Sequence, residues 1–311
     1  MLTELFCAVD EFCQAFEASF PSTPLLPESV PARGRPRSLC TSEIMTICIL
    51  FHDSNYRTFK YFYKRHVFQR LREAFPCLVS YQRFVELKKQ ALPFLYNYAL
   101  THCAGERTGI YFIDSTPVPV SHLLRARLHQ LFRDVATFGK TAVGWFFGFK
   151  LHTVINHHGE IVSFVFTTAS VHDSDDRVVD KLTEDLTGKL IGDKGYISNE
   201  TFLRLFNRGL KLVTGTRKGM KGGLMLISDK LLRKRRGVIE SSYHILKDIC
   251  QISHTRHRSP MNFLVNLLSG LVAYAWRPRK PHVDLEELGR EFCDDLFLCV
   301  VSYSISYNDS F

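Results

Sequence analysis

From Gly109 to Thr168 the apolar residues recur with the period of a strand, which restricts this chain to folds with an antiparallel sheet at their centre. Ile110 to Ile113 is a short apolar run closed by Asp114. Trp145 to Ile155 alternates, with Phe147, Phe149 and Leu151 opposite Phe146, Lys150 and His152, and Ile161 to Thr168 follows a His158-Gly159 turn. Three strands in a row imply a meander. Beyond them the spacing predicts a helix over 174–187, a short strand from Lys189 to Gly192 ended by Asp193, and a helix from Ser198 to Asn207. A strand from Leu210 to Thr214 and a long helix over 229–252 complete the series. The order β-β-β-α-β-α-β-α describes an α/β fold, a mixed sheet with helical cover.

The first hundred residues are helical in texture. Leu5, Val9, Phe12, Phe16 and Phe20 fall on one helix face, and Thr41 opens a second helix through Ile44, Ile47, Cys48 and Phe51. Ser80 is a suitable N-cap for a third, with Phe84, Leu87, Ala91 and Leu95 on one side. Between the first two lies Pro21 to Pro36, a linker with five prolines and the basic run Arg33-Gly34-Arg35-Pro36-Arg37. Such a run either lies in a minor groove through Arg33 and Arg35 or is an ordinary solvated linker. The organisation expected is a helical DNA-binding region over 1–104, a catalytic domain over 105–282 and an acidic tail over 283–311.

Charge narrows the partner. The chain holds 40 Lys plus Arg against 31 Asp plus Glu, a net of +9, but residues 283–311 alone carry seven acids and one base. Within the basic remainder, residues 204–258 hold fourteen Lys/Arg and three acids. A field of that density attracts polyanions, nucleic acid first among them. The longest uncharged run, Ser259 to Trp276, is interrupted by Asn262, Asn266, Ser269 and Gly270, so it reads as a buried helix and no membrane span is expected. Nine cysteines with no CxxC pair fit a reducing cytoplasm.

Three carboxylates stand out. Asp114 and Asp193 each follow a short apolar run, where a mixed sheet exposes its site, and each is followed by small or polar residues. Glu240 is the only acid between Asp229 and Asp248, in a helix crowded with bases. Helical spacing puts Val238, Ile239, Ser242, Ile245, Leu246 and Ile249 on a buried stripe and Arg233, Arg236, Glu240, Tyr243 and Lys247 on another face. Three converging carboxylates make an all-oxygen site suited to Mg²⁺, with Mn²⁺ as a substitute. In a basic cleft two such ions, roughly 3.5–4 Å apart, serve phosphodiester chemistry. Lys150 and His152 share a strand face leading back toward Asp114, as phosphate contacts or core groups. His172-Asp173 is either a supporting pair or, through Asp173, a helix N-cap. Arg256 and Arg258 fit backbone phosphate, and Trp145 and Tyr196 are either base-stacking or core aromatics.

With these motifs the chain resembles the DDE transposases of bacterial insertion sequences. The family's Asp, Asp and Glu match Asp114 in Tyr111-Phe-Ile-Asp-Ser-Thr-Pro, Asp193 in Ile191-Gly-Asp-Lys-Gly-Tyr, and Glu240 in Arg236-Gly-Val-Ile-Glu-Ser-Ser-Tyr-His-Ile-Leu-Lys247. Arg236, Glu240 and Lys247 fit the spacing of the family signature, and Arg233 stands where that signature has tyrosine. Gly139-Lys140, the stretch Gly144 to His152 and the stretch Ser253 to Ser259 are most similar to the insertion-sequence family numbered nine-eight-two. The resemblance implies an RNase H-like, retroviral integrase-like catalytic domain. It further implies two Mg²⁺ ions on Asp114, Asp193 and Glu240, with Arg236 and Lys247 positioning DNA ends. The partners implied are terminal inverted repeats and target DNA, with a homo-oligomer forming on DNA, in a nucleoid-associated cytoplasmic enzyme. A metal-dependent nuclease without strand transfer, or a non-catalytic DNA-binding remnant, would share much of this sequence pattern.

Overall fold

The computed structural model describes residues 2–19, 39–126, 128, 130–215, 225–253, 257 and 259–290. The N-terminal helices form where the apolar spacing places them. Helix α1 (Leu2–Ala18) buries Leu5, Val9, Phe12 and Cys13. Helix α2 (Thr41–Asp53) is started by Glu43, whose carboxylate accepts from the Cys40 backbone N–H at 2.8 Å. In α3 (Tyr81–Leu87) the Ser80 hydroxyl accepts from the Arg83 N–H at 3.3 Å, and α4 (Leu92–Thr101) continues the same apolar face, so Phe84, Leu87, Ala91 and Leu95 are all buried.

The sheet begins with β1 (Ile110–Ser121), β2 (Thr137–Lys140), β3 (Trp145–Asn156) and β4 (Ile161–Thr168). Strand β3 pairs antiparallel with β1 on one side and with β2 and β4 on the other. After α5 (Asp176–Leu182), β5 (Gly188–Ile191) adds parallel to β1. After α6 (Asn199–Asn207), β6 (Leu210–Val213) adds parallel to β5, in the order β2-β3-β1-β5-β6 with β4 also on β3. Helices α7 (Ile227–Lys234), α8 (Gly237–His244) and α9 (Pro260–Ala275) follow.

Five features depart from the sequence expectation, each for a physical reason. Strand β1 does not stop at Asp114: Thr116, Val118 and Val120 stay buried and pair along β3, so Asp114 lies in mid-strand. Pro117 and Pro119 are tolerated because β5 pairs only with Ile110 to Phe112, leaving that side of β1 open beyond, where a missing N–H removes no ladder bond. Strand β2 is an addition, four residues being too few to display a period. The helix after β4 is shorter than 174–187, and its N-cap is Asp175, accepting from the Arg177 N–H at 3.0 Å, which frees Asp173 for another role. The long helix over 229–252 is broken at Arg235-Arg236-Gly237, where glycine has low helix propensity, and a π-turn over Ile245–Ile249 follows α8. Strand β3 is buried on both faces, so its polar residues lie inside the fold instead of alternating into water.

One core runs from α1 through the sheet to α9, which is buried almost all round, while a smaller one lies under α5 and α6. Gly270 of α9 admits no side chain, since a Cβ there would lie 2.4 Å from Cγ2 of Ile252. His52 of α2 bonds the Cys250 carbonyl, and the Tyr274 hydroxyl of α9 donates to the Gly159 carbonyl at 2.7 Å. A fragment starting at residue 105 would expose the faces of α9 and the sheet that α1, α2 and α4 cover. It is expected to lack a cooperative thermal transition by circular dichroism, whereas the full chain shows one.

Candidate active site

The parallel register pairs Tyr111 with Leu190 and Phe112 with Ile191, so Asp114 and Asp193 each lie two residues beyond the last paired residues. Gly192 still donates to the Val213 carbonyl at 3.0 Å, so Asp193 is the first residue clear of the sheet. Beyond it Lys194–Tyr196 form a 3₁₀ turn. Asp193 is exposed there, while Asp114, on the strand beside it, is partly buried. The Asp114 side chain is 22% exposed. Burial pushes its carboxyl up to about 6, against the pull of the Ser115 N–H and Arg236, while Asp173 and Asp193 push in the same direction as burial.

The break between α7 and α8 delivers the opposing charge. Arg236, at that joint, reaches Asp114 Oδ2 at 3.4 Å and Glu240 Oε1 at 2.6 Å, bridging two of the three expected acids. Glu240 is 59% exposed, whereas Ile239 and Leu246 are in the core, as the helix spacing predicts. Tyr243 was expected on the polar face but is buried. Its hydroxyl donates to the Asp114 carbonyl at 2.6 Å, and the Thr153 hydroxyl lies 2.8 Å from it, so α8 is pinned to β1 directly behind Asp114. Lys247 is half-buried; burial lowers its ammonium pKa, with Asp248 and Asp114 opposing.

Across β1 lies a second layer. Lys150, expected to meet DNA, is instead an internal cation with a side chain only 10% exposed, bonding Asp173 at 2.8 Å and the Val171 carbonyl at 2.9 Å. A lysine so enclosed needs an anion, and Asp173 supplies it. Although burial would raise the Asp173 carboxyl, bonds from Lys150 and Ser115 hold it below its ordinary value. His152, opposite Ser115, is fully buried with Nε2 2.9 Å from the Thr167 hydroxyl, and burial lowers its pKa to about 4. The sequence leaves Asp173 open between a supporting group and a helix cap, and places Tyr243 on the helix face of Arg236 and Glu240. Only the helix break and the true cap at Asp175 reveal their places. Asp229 is not an alternative third acid: it is 1% exposed and held by Lys189 at 2.7 Å and Lys211 at 2.5 Å. Arg33, Arg35, Arg256 and Arg258 lie outside the described residues.

The donor set fits a hard divalent cation, because it is all oxygen and already draws the Arg236 guanidinium between Asp114 and Glu240. The Tyr196 hydroxyl is buried and has no hydrogen-bond partner among the described residues; burial and then the carboxylates of Asp114, Asp173 and Asp193 push its pKa up. Among the described residues no three acids, histidines or cysteines stand close enough together to hold an ion.

Residues 104–260, about half the chain, match the family model described as the transposase DDE domain. The chain belongs to this family. All three acids fall inside the matched span, and the transposase DDE domain places the chain among enzymes of transposition and DNA recombination. No curated protein matches it. No helix among the described residues of this transposase is long and apolar enough to cross a membrane.

The raised carboxyl gives a pH signature. Folded Asp114 holds its proton up to about pH 6, but in the unfolded chain it releases it near the ordinary value of 3.8. The folded state thus binds more protons between these values, and the resulting stability, complete below the lower value, is lost as pH rises through the upper one. Asp114→Asn removes this loss. In metal-free buffer its unfolding free energy should gain on that of the wild type between pH 4 and pH 8, by on the order of 2–3 kcal/mol, read from denaturant titrations at each pH. A constant difference across that range would show that Asp114 is not strained by burial.

Proposed function

We propose that the protein is the transposase of an insertion sequence, of the family numbered nine-eight-two. In this reading it binds the element's terminal inverted repeats, cleaves a strand to free a 3′-OH and joins that hydroxyl to target DNA. The observation that carries the reading is the bridge that Arg236 makes between Asp114 and Glu240, with Asp114 and Asp193 each two residues past the last paired residues of neighbouring parallel strands. The strand order, an antiparallel β4-β3-β1 extended by parallel β5 and β6, supports an RNase H-like catalytic domain.

Asp114, Asp193 and Glu240 are the residues that would hold Mg²⁺, for which Mn²⁺ would substitute. The bound ions supply a Lewis acid for the attacking and leaving oxygens. Arg236, released from the carboxylates, and Lys247 contact the phosphates at the DNA end. Tyr243 and Thr153 keep α8 at a fixed height over β1, so Glu240 approaches from one direction. Phosphate contacts position DNA without reading it, so sequence recognition is assigned to the helical residues 1–104, with Arg33 and Arg35 as groove contacts and Arg256 and Arg258 on the backbone. Assembly on paired ends as a homo-oligomer, in the nucleoid of the bacterial cytoplasm, completes this reading.

Asp193→Ala is expected to abolish Mg²⁺-dependent cleavage of a terminal-repeat duplex while leaving binding intact. Glu240→Gln should do the same without changing the thermal midpoint, because Glu240 is exposed, whereas Ile239→Asp should unfold the chain. Gel-shift affinity should fall about 10³–10⁵-fold between 50 and 200 mM salt if about 6–10 phosphates are neutralised. Wild-type cleavage by either acid variant would remove that residue from the centre.

A further inference from the structure

Strand β3 is buried along its whole length except at its first residue, Trp145, which is 59% exposed. The hairpin that leads into it is tightly closed. The Thr141 N–H donates to the Gly144 carbonyl at 2.8 Å and the Gly144 N–H to that of Thr141 at 3.2 Å, so Lys140 of β2 stands directly opposite Trp145. Lys140 Nζ lies over the indole, 5.8 Å from the ring centre. Beside the indole is a hollow of 480 Å³, walled by Pro119, Val120 and Leu123, a size within the usual range of small-ligand sites. Ser121 lines it too, and its hydroxyl oxygen is buried with no hydrogen-bond partner among the described residues. Buried hydroxyls are ordinarily bonded, so an aromatic ring and an unsatisfied polar group meet at one apolar hollow.

Charge decides what fits there. From His122 to Trp145 the sequence has four Lys/Arg and one acid, Asp134, and Arg125, Arg133 and Lys140 are exposed. A second copy of the chain would set these bases against themselves, whereas a polyanion is drawn to them. Among polyanions nucleic acid also brings flat rings that stack on tryptophan. Within a duplex those ring faces are covered by the neighbouring base pairs, so only a base out of the stack presents its face to the indole. Trp145 shares a face of β3 with Thr153, the partner of Asp114, and the eight residues between them span about 26 Å.

We propose that the hollow beside Trp145 binds an unpaired nucleobase of a DNA strand, the base stacking on the indole, the Ser121 hydroxyl bonding the base edge and Lys140 meeting the adjoining phosphate. The inference rests on the reading of the chain as a transposase and deepens it, since the strand it takes is one opened from its complement.

The test is the affinity of the full-length chain, by fluorescence anisotropy, for a labelled single-stranded oligothymidylate and for an abasic strand of the same length, which keeps the phosphates and lacks the bases. Wild type is expected to favour the oligothymidylate. Trp145→Ala should weaken that binding roughly 5–150-fold, the loss of one stacked base, and leave the abasic strand unaffected. Trp145→Phe, which keeps a ring, should restore most of the affinity even if Trp145→Ala folds poorly, and Ser121→Ala should weaken it about 2–10-fold. Equal affinity of wild type for both strands, or wild-type affinity in both Trp145→Ala and Ser121→Ala, would overturn the site. If that happens in a protein that still cleaves a terminal-repeat duplex, the site fails and the transposase reading stands. Base binding through Trp145 in a protein that neither recognises nor cleaves terminal repeats would support the site and remove that reading.

Discussion

A carboxylate set in the middle of a strand, nearly four-fifths out of water, has to be stabilised by its surroundings, and much of this fold's local detail answers to Asp114. The next backbone N–H, of Ser115, turns toward it at 2.8 Å. The joint between α7 and α8 carries Arg236 to it, and the buried hydroxyl of Tyr243 anchors α8 to its carbonyl. Even so the carboxyl is pushed up to about 6, because burial and the neighbouring Asp173 and Asp193 outweigh these donors. Charge is concentrated here beyond what the stability of the fold requires.

Asp229 shows what a structural aspartate looks like in the same protein. It is more deeply buried, and burial alone would raise its carboxyl, yet bonds from Lys189 and Lys211 hold it below the ordinary value. Two lysines on adjacent parallel strands neutralise one acid completely. Around Asp114 the balance is reversed: Lys150 is committed to Asp173, and Arg236 is divided between Asp114 and Glu240. A carboxyl pushed up by burial and by neighbouring acids in this way is a mark of functional sites.

The sequence conveyed the elements better than their ends. Strands β3 and β4 and the helices α1, α2 and α9 lie where apolar period and caps place them. The length of β1 was hidden by Pro117 and Pro119, which ordinarily end strands. Here they are allowed because β5 stops short, a fact of pairing that no local pattern contains. The joint at Gly237 was hidden in an unbroken basic run, and with it the inward turn of Tyr243. Of the site, the family acids were legible as residues, but the bridge made by Arg236 and the Lys150–Asp173 layer depend on elements more than twenty residues apart in sequence being packed together.

The shared core constrains how recognition and chemistry can be coupled. Helix α9 packs on α2 and α4, and His52 of α2 bonds the carbonyl of Cys250, a few residues beyond the α8 turn that carries Glu240 and Lys247. Buried interiors are dense and resist continuous deformation. Among the described residues, α2, α4 and α9 pack without a hinge between them. Movement is left to the side chains around Asp114, and Arg236, shared between two acids and only partly buried, is the one whose release changes the charge of the site.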